Sequence, residues 1–185
     1  MATNIVDYSL ELRDLHLRIY RGLVPLIPIP ECPAKLVIAT SEREYKDVSR
    51  GSRIVQGAAA FTVPSRNLIV LNAPRMMRLQ ADGTYPHCCT ITHEYVHIGM
   101  HHSDEECLKD VIRRCKRRRL AVLDAVSAQG WGIRRTDELI TICCEWVYCH
   151  HPRRRSRANT AMTDFGYEFI ELLGWVRPDD GDEHR

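Results

Sequence analysis

The stretch His93-Glu94-Tyr95-Val96-His97 decides how this chain of 185 residues is interpreted, because it is a complete H-E-x-x-H pattern. Four residues are just over one helical turn, so on a helix both imidazoles project from one face and can bind one metal ion. Glu94 lies about 100° further round the same helix, where its carboxylate can reach a water molecule without binding the metal. The pattern therefore predicts that His93 and His97 hold one zinc ion and that Glu94 acts as a general base.

A catalytic zinc site needs a third protein ligand, and the histidines near the motif are the first place to look for it. The position six residues after the second histidine, where metzincins carry their third ligand, holds Ser103 instead. His101 lies one turn beyond His97, but three such side chains on one straight helix span about 12 Å, too far for one ion. His101 or the adjacent His102 is therefore an alternative only if the helix ends between them.

A carboxylate from a later helix is the other source of a third ligand. The pattern over 136–148 predicts a helix whose buried stripe consists of Leu139, Ile142, Cys143, Trp146 and Val147. Glu138 and Glu145 are seven residues apart and share nearly one face, opposite that stripe, where a carboxylate is usually solvated. We take Glu138 as the third ligand and keep Glu145, with the two histidines named above, as alternatives.

The periodicities elsewhere predict an α+β protein, with strands before the motif and helices after it. Strands at 56–62 and 67–72 are expected to form a hairpin, and a short strand at 36–38 precedes it. The predicted helices span 7–21, 41–48, 87–101, 103–129, 136–148 and 164–173. We expect one domain over 1–175, followed by an acidic, disordered tail over 176–185.

Local signals mark where some of these helices begin. Ser41 with Glu44 and Ser103 with Glu106 have the spacing of a capping box, which predicts a helix at each place. The segment between the hairpin and the motif helix, with its Asp82-Gly83 pair, is interpreted as a loop. The buried stripe of the first helix is predicted to consist of Tyr8, Leu12, Leu15 and Ile19.

Cysteine usage and charge narrow the class of protein. The eight cysteines include no C-x-x-C and several fall at helix-core spacing, so we expect reduced, buried thiols. The N-terminal segment lacks a signal-peptide core and no apolar run approaches about 18 residues, which favours a cytoplasmic protein with no membrane segment. The net charge is only +2, but basic clusters at Arg113–Arg119 and Arg153–Arg157 permit a nucleic-acid surface.

Parts of the chain resemble small gluzincin-type zinc metallopeptidases, among them the ImmA/IrrE group. The resemblance lies in Asn67–Asn72 and Thr90–His101, similar to a strand and an active-site helix, and in Asp137-Glu138-Leu139-Ile140-Thr141, similar to the downstream glutamate helix. It implies a zincin-like fold, in which a small N-terminal β-sheet is followed by the H-E-x-x-H helix and a mostly helical C-terminal half. The long basic helix between the last two segments departs from the family.

The same resemblance implies a zinc-dependent metallopeptidase that hydrolyses peptide bonds in a peptide or protein substrate. Its residues carry over as His93, His97 and Glu138 for the ligands of one Zn²⁺ per chain, and Glu94 for the general base.

Two other functions remain open at the level of sequence. The basic cluster Arg113–Arg119 is compatible with a nucleic-acid-associated protein whose zincin core is structural or vestigial. A weaker resemblance, through H-E-x-x-H with a later histidine at His102 or His150, links the chain to SprT-like proteases, which act on DNA-bound proteins.

Substrate contacts beyond the metal ligands are predicted only as sets of alternatives. A donor for the oxyanion of the reaction is expected among Tyr148, His150, His151 and Arg134. An extended substrate is expected to add to a free strand edge, either at 67–72 or at 58–61.

Overall fold

A computed structural model describes residues 5–50, 58–81, 87–128, 133, 135–150 and 157–178 of the chain. The chain forms two compact units. Unit 1 comprises Met1–Val24 and Ile29–His101, and unit 2 comprises Pro25–Pro28 and His102–Arg185. The expectation of one domain over 1–175 stays a prediction, and the acidic stretch 179–185 lies outside the described residues.

Unit 1 contains a small sheet and the helix that carries the H-E-x-x-H motif. Its elements are α1 (Ile5–Leu23), β1 (Lys35–Ala39), α2 (Glu42–Val48), β2 (Ala60–Val63), a 3₁₀ turn (Pro64–Arg66), β3 (Leu68–Asn72), α3 (Ala73–Ala81) and α4 (His87–His102), whose last residue belongs to unit 2. The α+β class and the small N-terminal sheet are thereby confirmed. The interpretation of the segment before the motif helix as a loop is partly wrong, because α3 occupies most of that segment.

The three strands are ordered β1-β3-β2, with β1 parallel and β2 antiparallel to the central β3. Ile69, Val70 and Leu71 have no exposed surface, as expected for a central strand with both faces covered. The predicted hairpin is confirmed: it turns through Asn67, whose φ of 45° is a left-handed conformation that asparagine tolerates. Since β3 is central, the prediction of 67–72 as a free edge is wrong, whereas β2 pairs with no second strand among the described residues.

Helix α2 begins as the capping signal predicts. The Ser41 hydroxyl accepts the backbone N–H of Glu44 at 3.1 Å. The Glu44 carboxylate accepts the backbone N–H of Thr40 at 2.7 Å, so the reciprocal bond of the box is displaced by one residue.

Unit 2 consists of helices in its described part. They are α5 (Glu105–Arg117), α6 (Arg119–Ser127), α7 (Thr136–His150) and α8 (Arg157–Leu172). The helical C-terminal half is therefore confirmed, and α8 begins earlier than the predicted helix 164–173. The prediction of one helix from 103 to 129 is wrong, because Arg118, with φ −101° and ψ 15°, separates α5 from α6.

The capping box predicted at Ser103 and Glu106 is also wrong, by one residue. Asp104 is the N-cap of α5, and its carboxylate accepts the backbone N–H groups of Glu106 and Cys107, each at 3.0 Å. The Ser103 hydroxyl instead accepts the indole N–H of Trp175 at 2.9 Å, so it is engaged away from the helix start.

Helix α7 is the most buried element of unit 2. Its predicted stripe is confirmed, but the residues between are buried as well, including Ile140, Thr141 and Cys144. The reason is that α7 contacts α5, α6 and α8, which together cover more than one face. Gly166 allows α8 to approach closely, since a Cβ there would lie 2.3 Å from the backbone oxygen of Cys143.

Two composition-based expectations can be compared with the structure. Four of the eight cysteines are buried, as their helix-core spacing predicts, and the reduced state of the thiols stays a prediction. Among the described residues, no helix is long and apolar enough to cross a membrane.

Candidate metal centre

The two histidines of the motif lie side by side on α4. The Nε2 atoms of His93 and His97 are 3.2 Å apart, and the ring planes are inclined at 77°. Two imidazole nitrogens bound to one tetrahedral zinc at 2.0–2.1 Å are separated by about 3.3–3.4 Å. The pair therefore has the spacing that a zinc ion requires, although the same distance also permits an N–H···N hydrogen bond between the rings.

The surroundings of the pair distinguish it from the rest of α4. His93 and His97 are half-buried, whereas ten other residues of the helix, Cys89 to Thr92, Glu94 to Val96 and Ile98 to Met100, are buried. A surface helix that merely carried two histidines would expose the residues around them. The burial instead shows that α4 is a core helix on which two imidazoles retain access to solvent.

Glu94, the predicted general base, is only 6% exposed. It lies near Tyr45 of α2, a phenol that is 4% exposed and whose hydroxyl has no hydrogen-bond partner among the described residues. Burial raises the pKa of Tyr45 well above its usual value, and the negative charges of Glu94 and then Glu42 raise it further. The carboxylate of the motif thus occupies a buried part of unit 1 that also holds an unsatisfied phenol.

Tyr95, one of the two unspecified residues of the motif, connects α4 to two other elements. Its hydroxyl lies 2.7 Å from Nε2 of His16 on α1 and accepts the backbone N–H of Ala34, before β1, at 3.2 Å. Burial, with a smaller contribution from Arg13, lowers the pKa of His16 to about 4. The imidazole is therefore neutral at neutral pH, so its Nε2 can accept the Tyr95 proton.

The sequence reasoning missed this contact because it placed the buried stripe of α1 incorrectly. Leu15 and Ile19 are half-buried, and the buried residues are Tyr8, Leu12, His16, Tyr20 and Leu23. The repeated four-residue spacing from Tyr8 to Tyr20 is the signal that could have identified His16 as a core residue.

The length of α4 argues against His101 and His102, the histidine alternatives for the third zinc ligand. The helix is unbroken from His87 to His102, so it does not end between His97 and His101. The side chains of His101 and His102 are exposed. The condition under which either could join the pair is therefore not met.

The two carboxylate alternatives have different environments within unit 2. Glu138 lies in the first turn of α7 and is half-buried. Glu145 is completely buried, so the expectation of a solvated carboxylate at that position is wrong. The assignment of Glu138 as a zinc ligand stays a prediction, with Glu145 as its alternative.

One of the four candidate oxyanion donors can be located in detail. The hydroxyl of Tyr148 donates to the backbone oxygen of Val176 at 3.1 Å. Burial raises its pKa far above the usual range, so the group keeps its proton. Arg134, His151 and the side chain of His150 lie outside the described residues.

The basic cluster Arg113–Arg119 is exposed except at Arg119, which is half-buried, and acidic residues neutralise much of it. Glu168 of α8 pairs with both Arg114 (2.6 Å) and Arg118, and Asp110 pairs with Arg113. In the described parts of the chain, Lys116 and Arg117 take part in no ion pair. The cluster at 153–157 falls in a stretch whose side chains are not described.

Comparison of the chain with protein-family models, with curated proteins and with solved structures found no match.

Proposed function

We propose that this chain is a zinc-dependent metallopeptidase with a zincin-like fold, as its resemblance to the gluzincin-type ImmA/IrrE group implies. The observation that carries the proposal is the 3.2 Å separation of the His93 and His97 nitrogens on a buried helix that also carries Glu94. An accidental H-E-x-x-H on a surface helix would also bring the two imidazoles together, but it would leave the glutamate exposed.

We assign His93, His97 and Glu138 as the ligands of one zinc ion per chain. Two imidazoles and one carboxylate are a ligand set typical of catalytic zinc, with a fourth place left for water. The unbroken course of α4 supports a carboxylate over His101 or His102. Glu145 is the alternative carboxylate.

The chemistry assigned to the chain's own residues centres on Glu94. A bound zinc ion supplies water activation and polarisation of the scissile carbonyl. Glu94 takes up the proton of the attacking water, holds it, and gives it to the leaving amine. Its 6% exposure suits this task, because a proton held away from bulk water is retained until the amine departs.

The substrate is proposed to be a peptide or protein segment in extended conformation. Strand β2 pairs with β3 on one side, and in the described part of the sheet its other edge has no strand partner. An added antiparallel strand at Ala60–Val63 would be held by backbone hydrogen bonds, and side-chain selectivity would come from neighbouring surfaces.

The substitution Glu94→Gln tests this proposal. The amide keeps the size of the side chain but cannot accept the proton, so hydrolysis of a peptide library should fall at least about 100-fold. Zinc content should not change, because Glu94 is not a ligand. Both quantities are measured on one preparation, by elemental analysis and by mass spectrometry of the cleaved library.

Glu106→Gln is the matched control, since Glu106 is an exposed glutamate on α5. It should leave both zinc content and hydrolysis unchanged. Cleavage by Glu94→Gln at the wild-type rate would contradict the role of Glu94. Zinc binding without hydrolysis in the wild-type protein would favour a structural or vestigial zincin core.

A further inference from the structure

Helix α1 presents a second apolar stripe to solvent, separate from the face that it buries in unit 1. Val6, Leu10, Leu17 and Val24, the residue after the helix, are 60%, 59%, 38% and 37% exposed. Few other large apolar side chains of the described chain are exposed to this degree, and the others do not form a row on one helix. A row of exposed apolar side chains along one helix is a candidate interaction surface.

The spacing of the stripe is that of a helix-packing seam. The four residues are separated by 4, 7 and 7 positions, which is heptad spacing, while Tyr20, the seam position after Leu17, is buried in unit 1. Arg13 occupies the seam position between Leu10 and Leu17, where its aliphatic stem can lie along apolar surface while its charge reaches water. From Val6 to Val24 the seam is about 27 Å long at 1.5 Å per residue.

The charges beside the seam change sign along α1. Asp7, Glu11 and Asp14 lie in its N-terminal part, and Arg18 and Arg21 lie in its C-terminal part. Among the described residues, none of these five takes part in an ion pair. A second α1 laid antiparallel brings each acidic part against a basic part, whereas a parallel copy brings like charges together.

We propose that the exposed seam of α1 binds the α1 seam of a second copy of this chain, antiparallel and related by a two-fold axis. A two-fold interface uses the same patch on both partners. The charges along α1 fit this symmetry, because they are complementary to the same charges in the opposite direction. One helix face of about 27 Å by 10 Å is smaller than the roughly 800 Å² per partner of stable complexes. The dimer should therefore dissociate at micromolar concentrations.

Sedimentation velocity of the full chain across about 1–300 µM tests the proposal, since micromolar complexes dissociate within this range. The wild-type protein should shift from monomer to dimer, and Leu10→Glu with Leu17→Glu should remain monomeric throughout. Leu120→Glu is the matched control, because Leu120 is 79% exposed and belongs to α6, not to the seam. It should dimerise as the wild type does. Circular dichroism confirms that each variant is folded.

A charge exchange tests the antiparallel arrangement. Arg18→Glu with Arg21→Glu makes the flank acidic throughout, and Asp7→Arg with Asp14→Arg makes it largely basic. Each variant alone should dimerise at least about tenfold more weakly, and an equal mixture should form a heterodimer. Monomeric wild-type protein at the highest concentration overturns the proposal, as does unchanged dimerisation of the Leu10, Leu17 variant. Dimerisation of either charge variant alone at wild-type strength overturns the antiparallel arrangement, and failure of the mixture to associate overturns the charge pairing beside the seam.

Discussion

Helices α4 and α7 are alike in composition and burial, yet their functional residues are recognisable to very different degrees. Each is a core helix with a buried glutamate, Glu94 at 6% exposure and Glu145 at 0%. In α4 the glutamate belongs to the H-E-x-x-H pattern, whose spacing predicts the role of a general base. In α7 the apolar periodicity identifies the buried stripe, but it does not show that the opposite face is covered too. Periodicity thus predicts which residues face the nearest neighbour, and a chemical motif adds a hypothesis about the role of a buried polar group.

Among the substitutions that test this comparison, the largest effect is expected at Glu138, the proposed zinc ligand on α7. Glu138→Ala should reduce zinc affinity by at least about 100-fold, because even partners outside the coordination sphere are worth about 10–100-fold. Glu145→Gln, which preserves side-chain volume in a fully buried position, should leave zinc affinity within a few-fold of wild type. Competition titration with a chelating dye measures both.

If Glu145→Gln lost more zinc affinity than Glu138→Ala, the third ligand would be Glu145 and not Glu138. His101→Ala serves as a further control, since His101 is exposed and the helix does not end between His97 and His101. Its zinc affinity should equal that of the wild type.

A smaller effect is expected where Tyr95 connects α4 to α1 and the start of β1. Tyr95→Phe leaves the ring in place but removes the partner of His16 and of the Ala34 N–H, both of which are buried. The free energy of unfolding should fall by about 1–3 kcal/mol, the cost of leaving buried polar groups unsatisfied. Urea unfolding followed by circular dichroism measures the change.

Tyr45→Phe is the matched control for Tyr95, because both substitutions remove one oxygen from a buried tyrosine of unit 1. The Tyr45 hydroxyl has no hydrogen-bond partner in the described part of the chain, so its removal should stabilise the protein by up to about 1 kcal/mol. If both variants lost the same stability, the hydrogen bonds of Tyr95 would not be the cause.

The smallest effect is expected on the basic face of α5. If this face tracks phosphates, replacing Lys116 and Arg117 by Gln should flatten the dependence of log affinity on log salt, by about 0.9 for each phosphate that is no longer neutralised. Replacing Arg114 and Arg118 should flatten it less, because Glu168 already pairs with both. Fluorescence anisotropy with duplex DNA measures the slopes. No binding at low salt would reject the nucleic-acid role.

The fold class, the hairpin and the motif helix could be predicted from the sequence because each depends on local spacing. The turn at Asn67 and the cap at Ser41 act within a few residues, so the chain nearby contains the whole signal. The displaced cap at Asp104 was missed for the opposite reason. Ser103 is engaged by Trp175, a residue 72 positions away, and no local pattern records that competition.

The candidate site follows the same rule: its local spacing could be predicted from the sequence, and its distant contacts could not. The spacing of His93 and His97 fixes their convergence within one helix, and the structure retains it. The buried state of Glu145, the link from Tyr95 to His16 and the pairing of Arg114 with Glu168 depend on residues distant in sequence. Such contacts arise from packing between helices, which composition and periodicity do not specify.

The zinc content of the protein purified without chelators tests the central claim most directly. We expect one zinc per chain in the wild type, and none above background when His93 and His97 are both replaced by Ala. His101→Ala with His102→Ala, which removes two exposed histidines from the same helix, should keep the metal. A wild-type protein that holds no metal even after zinc is added would contradict the proposed metal centre. The 3.2 Å contact would then be an N–H···N hydrogen bond between two imidazoles.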